Sequence, residues 1–266
     1  MLKDITIGQY YPQESIIHKL DPRVKILATF VYIVALFLVK SFTAYGYILL
    51  FLGSAIILSK VPFSYMVRGL KPLFFIILLT FGINIFMTKG EVIYQLGPLD
   101  VTREGIRQAL FMGSRLVLLI IGTSLLTLTT SPIQLTDGIE NLLNPYRRFG
   151  VPAHELAMMM TIALRFIPTL LEETDKIMKA QMARGADFES GNIINRAKSL
   201  VPLLVPLFIS AFRRADELAM AMEARCYRGG ENRTRMKELS LHSRDFAASG
   251  IAVIMLAVVI LDRFMR

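Results

Sequence analysis

Lys179-Ala180-Gln181-Met182-Ala183-Arg184-Gly185 and Met220-Ala221-Met222-Glu223-Ala224-Arg225-Cys226 each close a long helical pattern. Steps of three and four back from Arg184 meet Gln181, Ile177, Thr174, Leu170, Ile167 and Ala163. The same steps back from Arg225 meet Met222, Leu218, Ala215, Ala211, Phe208 and Leu204. Such spacing traces one face of a helix. Asp175 and Asp216 stand at the same distance before their arginines, so the two helices look related. Two readings of the arginines are open. One is capping, since cations suit a helix C-terminus and Gly185 and Gly229 are good stop residues. The other is a contact for a partner, because capping favours no particular helix face and these arginines continue mostly apolar stripes.

Outward from these stretches, the composition bounds the class. The 266 residues are 54% hydrophobic, and the apolar residues come in blocks, which is too apolar for an ordinary soluble domain. Trp is absent, so any aromatic belt is built from Tyr and Phe. The net charge of +9 gathers beside the apolar blocks, as membrane orientation requires, and this argues against a nucleic-acid partner. A single cysteine, Cys226, excludes an internal disulfide framework and a multi-cysteine metal site. Met1 to Leu20 mixes polar, charged and β-branched residues and does not read as a cleavable signal.

Asp4 to Pro12 alternates weakly and reads as a short extended piece. Asp21 then serves as an N-cap and Pro22 as a first helical residue, with Lys19, Arg23 and Lys25 expected among headgroups and His18 interfacial. Four apolar spans follow, near Ile26–Val39, Phe42–Ser59, Pro72–Thr88 and Ala109–Thr130. Each approaches the roughly 17–25 residues that cross a bilayer, the first only with its flanks. The basic N-terminal flank and the acid-free connection with Lys60, Arg68 and Lys71 place both on the cytoplasmic side. Arg115 and Asn84 lie inside spans, and for each a functional role and an interfacial one are both open.

From Pro132 to Asp245 the chain carries 16 Lys/Arg against 14 Asp/Glu, mixed in sign as on a solvated helical surface. Helices are expected at Ile133–Asn144, from Pro152 to Arg184 with a kink at Pro168, and from Asn192 to Arg228. The apolar halves Leu156–Leu171 and Leu200–Phe212 contain Pro and Arg, and are read as lying against membrane helices without crossing. Ile167, Leu204 and Phe208 are their candidate packing residues. Phe246–Leu261 is a last apolar span, leaving the C-terminus outside. The segments are therefore 1–131, 132–245 and 246–266, in an all-α integral membrane protein of about five transmembrane helices, four and then one.

No Gly-rich phosphate loop, metalloprotease motif or nucleophile elbow is present. Glu172-Glu173 reads as surface charge. Half of the 14 methionines fall between Met158 and Met222, where they fit core filling and a shape-changing contact equally.

Leu20-Asp21-Pro22-Arg23-x-Lys25 and the paired signatures Ala183-Arg184-Gly185 and Ala224-Arg225-Cys226, in this order around the spans, resemble the transmembrane T component of energy-coupling factor (ECF) transporters. The second signature departs from the first only in having Cys226 where Gly185 stands. The resemblance covers nearly the whole chain. It implies a cytoplasmic coupling module of long helices whose two signature ends dock on two ATP-binding-cassette ATPases. It also implies a separate substrate-binding S component that captures a vitamin or other micronutrient. ATP and Mg would be bound by the ATPases, with no cofactor and no catalytic site on this chain. A self-sufficient carrier or channel is the rival, and it needs a polar pathway for which only Asn84 and Arg115 are candidates.

Overall fold

The computed structural model describes residues 10–96, 99–186, 188, 193–229 and 239–265. Positions 4–9 of the expected extended piece lie outside the described residues, and Tyr10 to Pro12 belong to no strand. The elements run α1 (Pro22–Leu38), α2 (Phe42–Ser59), α3 (Phe63–Leu70), α4 (Phe74–Met87), β1 (Val92–Leu96), β2 (Leu99–Thr102), α5 (Arg103–Thr129), α6 (Pro132–Leu143), α7 (Ala153–Ala183), α8 (Ile193–Ala224) and α9 (Ser243–Phe264). The chain divides into two compact units. One holds residues 10–138 and 239–265, the other residues 139–229, and α6 spans the dividing point.

In the first unit α5 is the central element, touching α1, α2, α3 and α4, while α9 packs on α1 and α2. The core joins Tyr32, Leu36, Ile48, Leu52, Met66, Leu118, Leu128 and Val259. Close approach is fixed by glycine at two places. A Cβ on Gly122 would stand 2.3 Å from the Tyr32 ring, and one on Gly105 would stand 2.7 Å from the Ile85 carbonyl of α4. Tyr32 and Tyr45 reach α5 with their hydroxyls, donating to the carbonyls of Leu118 at 2.7 Å and Phe111 at 3.0 Å. Buried aromatic hydroxyls need such partners.

Two features of the third connection and the second were not read from sequence. The antiparallel hairpin β1–β2 precedes α5. Its signal was the β-prone run Val92-Ile93-Tyr94 ahead of Gly97-Pro98. Thr102 ends the hairpin and caps α5, accepting the Gly105 N–H at 3.0 Å and donating to the Thr88 carbonyl at 2.7 Å. The basic connection after α2 is largely the short helix α3, where Arg68 stacks over Tyr65 at 4.8 Å.

Five stretches are long and apolar enough to cross a membrane: Phe42–Ser59, Phe63–Met87, Arg103–Thr129, Ala153–Ala183 and Ser243–Phe264. The fold is all-α apart from the hairpin, with five candidate spans, in keeping with an integral membrane protein. Membership of the five differs from the sequence reading. The helix α1 has only 17 residues, at the lower limit for a crossing, and α7 joins the set.

Candidate functional site

The two arginine signatures fold into the same hydrogen-bonded end. At the end of α7, the N–H of Gly185 donates to Met182 O and that of Ala186 to Gln181 O, both at 3.0 Å. At the end of α8, the N–H of Cys226 donates to Glu223 O at 2.8 Å and that of Tyr227 to Met222 O at 3.0 Å. This paired pattern, with a left-handed residue after the cap, is the Schellman motif. Gly185 and Cys226 both occupy the left-handed region, at φ 88° and 56°. So α8 stops at Ala224, before the expected end at Arg228, and the cysteine takes the place a glycine holds in α7.

Arg184 and Arg225 are the cap residues themselves, and both are exposed. The last carbonyls are satisfied by backbone N–H groups, and among the described residues neither guanidinium has a hydrogen-bonding or ion-pair partner. The helix ends therefore form without the arginine side chains. Ala183 and Ala224 are the last helical residues and are also exposed.

The second unit pairs α7 and α8 antiparallel. Near the middle of the pair, Glu173 of α7 accepts from Arg214 Nη2 at 2.9 Å and from the Ser210 hydroxyl. At one end, Tyr227 Oη contacts Met158 Sδ at 2.9 Å and His154 Nε2 at 3.3 Å. His154 Nδ1 lies 3.0 Å from Glu140 of α6. Arg225, two residues before Tyr227, thus stands beside the start of α7, while Arg184 stands at its finish. The two signatures are on the order of 40 Å apart along α7 at 1.5 Å per residue.

Several sequence readings are corrected by this pairing. Glu173 is not free surface charge. It lies on the same face as Leu170 and Ile177, and Arg214 lies with Ala211 and Leu218, so opposite charges on the two facing stripes meet. The stripe of α8 also turns differently from the expectation. Leu203 and Leu207 continue the packed face, and Ala215, Phe208 and Leu204 point away, Phe208 at 61% exposure. Leu200 to Phe212 is apolar nearly all round, so periodicity there had no contrast to fix the phase. Leu204, Phe208 and Ile167 are 47%, 61% and 38% exposed.

The Leu20–Lys25 motif is a junction of three helix ends in the first unit. Asp21 caps α1, its Oδ1 accepting the Arg23 N–H at 2.9 Å, and Pro22 is the first helical residue as expected. Asp21 also holds the Arg23 guanidinium at 2.8 Å, which donates onward to Leu239 O. Burial raises the Asp21 carboxyl, but its bonds from Arg23 and the nearby ammonium of Lys25 bring it below its ordinary range. The Asp21 N–H donates to Asp245 at 2.8 Å, and Asp245 also accepts the His242 N–H at 2.8 Å at the start of α9. Lys25 was expected among headgroups. It is instead buried, donating to Thr129 O at 2.9 Å and His18 O at 3.2 Å, because the last carbonyls of α5 need donors. Tyr11 N–H serves Leu128 O in the same way. Leu20 is half-buried beside the junction. Asp245 was not singled out from sequence, because His242 is not one of the usual N-cap residues that would mark the start of α9.

Arg115 and Asn84, inside the spans, each donate to a backbone carbonyl, while Arg115 Nε is buried with no partner among the described residues. Arg115 donates to Val39 O, the C-cap of α1, at 3.1 Å and stacks on Phe111 at 5.1 Å. A cation suits that helix end. Asn84 donates to Thr80 O one turn earlier in its own helix. Among the described residues no group of His, Cys, Asp or Glu could hold a metal ion.

Comparison with known proteins agrees with this architecture. The cobalt transport protein family (CbiQ) matches residues 13–236. The energy-coupling factor transporter transmembrane protein EcfT of Thermosediminibacter oceani is 67% identical over 264 residues, covering 99% of each chain. That of Clostridium kluyveri is 66% identical, covering 99% of this chain and 98% of its own. That of Bacillus subtilis is 50% identical over 261 residues, covering 98% of each. A multi-pass chain with two matched arginine-tipped helices and likeness of this extent belongs to the EcfT family, the transmembrane components of energy-coupling factor transporters.

Proposed function

We propose that this chain is the mechanical link of an ATP-driven importer for a vitamin or other micronutrient. It passes conformational change from two ATP-binding-cassette ATPases to a substrate-binding S component. The observation that carries the reading is the pair of exposed arginines, Arg184 and Arg225, without partners among the described residues, on identically built helix ends. A planar guanidinium held at a rigid tip can fork onto carboxylates of a receiving groove. Two tips far apart on one antiparallel pair suit two ATPase subunits. The exposed apolar faces around Ile167, Leu204 and Phe208 suit the S component. This chain brings no nucleotide-binding motif, so ATP and Mg belong to the partners.

Topology fits the same reading. The N-terminal end of α1, the C-terminal end of α5 and the N-terminal end of α9 are hydrogen-bonded together, so they share one membrane side. The basic flank supports reading that side as cytoplasmic. The segment between α5 and α9 leaves and returns there, and α9 carries the C-terminus out. Charges crowd the second half of α7, at Glu172, Glu173, Asp175, Lys176 and Lys179, and a bilayer crossing there would bury them at high cost. The charged second half of α7 is thus an unfavourable bilayer segment, which supports reading it as part of a solvated coupling module. A self-sufficient carrier would need a polar path, and Arg115 and Asn84 are committed to carbonyls.

Co-expression tests the assembly. Purification of this chain with candidate ATPases should return one chain with two ATPase subunits and an S component. A chain that transports in vesicles alone would overturn the reading.

A further inference from the structure

Between α1, α2, α5 and α9 the first unit contains a crevice of about 300 Å³, lined almost wholly by apolar groups. It is large because small side chains line it: Ala28 on α1, Ala55 on α2, Gly122 on α5, and Ala247 and Ala248 on α9. Protein interiors seldom leave such space unfilled, and a volume of roughly 300 Å³ lies at the lower end of the ligand-pocket range. The lining runs from the junction end inward, from Arg244 to Ile251 on α9 and from Thr129 to Gly122 on α5. That is about two helical turns, or roughly 10 Å, below the level where three helix ends meet. Its border includes Ile16, Leu58 and Ile251, all exposed.

The crevice has a charged end. Arg244 lines it, is exposed, and has no partner among the described residues. Behind it, Lys25 gives its ammonium to two carbonyls and to no carboxylate within hydrogen-bonding distance. At this junction three cations, Arg23, Lys25 and Arg244, face two carboxylates, Asp21 and Asp245, and both carboxylates already accept from backbone N–H groups. An apolar slot with an excess cation at the headgroup level is complementary to an anionic amphiphile.

We propose that this crevice binds one anionic phospholipid, with an acyl chain between α1, α2, α5 and α9 and the phosphate on the Arg244 guanidinium. The site lies apart from the arginine tips of α7 and α8, and it does not rest on the ATPase reading. Occupancy fills the space between α9 and the other three helices and ties the start of α9 to the lipid surface. A zwitterionic lipid offers the same chain and phosphate, but its ammonium meets an already cationic end, so the site discriminates by charge.

The full chain, stripped of lipid in detergent, is mixed with vesicles of equal phosphatidylglycerol and phosphatidylcholine and repurified, and its bound lipid is measured by mass spectrometry. The expected result is about one phosphatidylglycerol per chain, retained at least tenfold over phosphatidylcholine. Arg244→Gln, an exposed change, brings the two lipids to parity. Ala248→Phe, which fills the slot, removes both, and the wild-type and Arg244→Gln results decide the matter even where that variant fails to fold. Excess soluble glycerol phosphate does not displace the lipid. Equal retention of the two lipids by the wild type, an unchanged preference in Arg244→Gln, or displacement by glycerol phosphate would overturn the site. So would a wild-type chain that retains no lipid and runs as a dimer, which assigns the crevice to a second copy.

Discussion

Glu173 on α7 receives the Arg214 guanidinium of α8 at 2.9 Å and, from the same helix, the Ser210 hydroxyl. These contacts set the register of the antiparallel pair that separates the two arginine signatures. Arg214 is 39% exposed and Glu173 24%, so solvent weakens the pair. Glu173→Ala should cost about 1–2 kcal/mol, the lower part of the range for charged hydrogen bonds after allowance for screening. Thermal unfolding would show it, and the exchange Glu173→Arg with Arg214→Glu should recover part of the loss. Recovery of none, with no loss in the single variants, would remove this contact from the account.

The Lys25 junction makes a second prediction. Lys25→Met keeps the stem but leaves Thr129 O and His18 O without their donor. Unpaired buried acceptors cost about 1–3 kcal/mol each. Asp245→Ala removes the acceptor of two backbone N–H groups, those of Asp21 and His242, and should cost about 0.5–2 kcal/mol as lost caps do. Both variants should lower the melting temperature in detergent while leaving the α7–α8 pair intact. A Lys25→Met chain as stable as the wild type would show that this ammonium is dispensable to the junction.

Acid should loosen the same region through His18. A carbonyl only accepts, so His18 Nε2 carries the proton given to Tyr11 O at 3.0 Å, and Nδ1 accepts from the Ser15 hydroxyl at 2.6 Å. Burial lowers the His18 pKa below its ordinary value, the bond to Tyr11 O opposes this, and the Lys25 ammonium adds to it. With the folded pKa depressed, the contribution is fully present above about pH 6.5. It is lost as pH falls below that value, because the unfolded chain takes up a proton that the folded chain resists. Melting temperatures between pH 8 and pH 5.5 should fall in the wild type and fall less in His18→Gln. Equal slopes would exclude His18 as the source.

Cys226 yields a stabilising change. A non-glycine residue in the left-handed region costs about 1–2 kcal/mol, partly offset by the chain entropy a glycine loses. Cys226→Gly should therefore stabilise the chain by about 0.5–1 kcal/mol, and Gly185→Ala should destabilise it by a similar amount. Differential scanning of the two variants checks both signs. The cysteine as such is not needed for the helix end, so Cys226→Gly should leave assembly unchanged.

Much of this was legible in the sequence for identifiable reasons. Asp21-Pro22 announced the start of α1 because cap chemistry is local. The starts of α6 and α7 followed from Pro132 and Pro152, and the end of α7 from Arg184-Gly185. The end of α8 was misplaced because Cys226 does what glycine usually does, and a cysteine sends no stop signal. The sequence could not separate the faces of α8 where the helix is apolar on every side, so the more buried Leu203 and Leu207 were not singled out beside Leu204 and Phe208. Lys25 was misplaced for another reason. Its partners, Thr129 O and His18 O, are backbone carbonyls, one of them 104 residues away, and backbone partners leave no trace in side-chain identity.

The two arginines carry the central claim. Removing one from a desolvated groove leaves a partner carboxylate unpaired, at about 2–5 kcal/mol. That is roughly thirty- to several-thousand-fold in affinity at 1.4 kcal/mol per decade. Their helix ends are closed by backbone bonds alone, so Arg184→Ala and Arg225→Ala should fold normally and fail only in assembly. Lysine should rescue in part, lacking the planar fork. The deciding measurement is co-purification of both ATPases with the Arg184→Ala/Arg225→Ala double variant, alongside transport in vesicles. The account predicts a well-folded chain that retains neither ATPase and does not transport. A double variant that keeps both ATPases and full transport would contradict it.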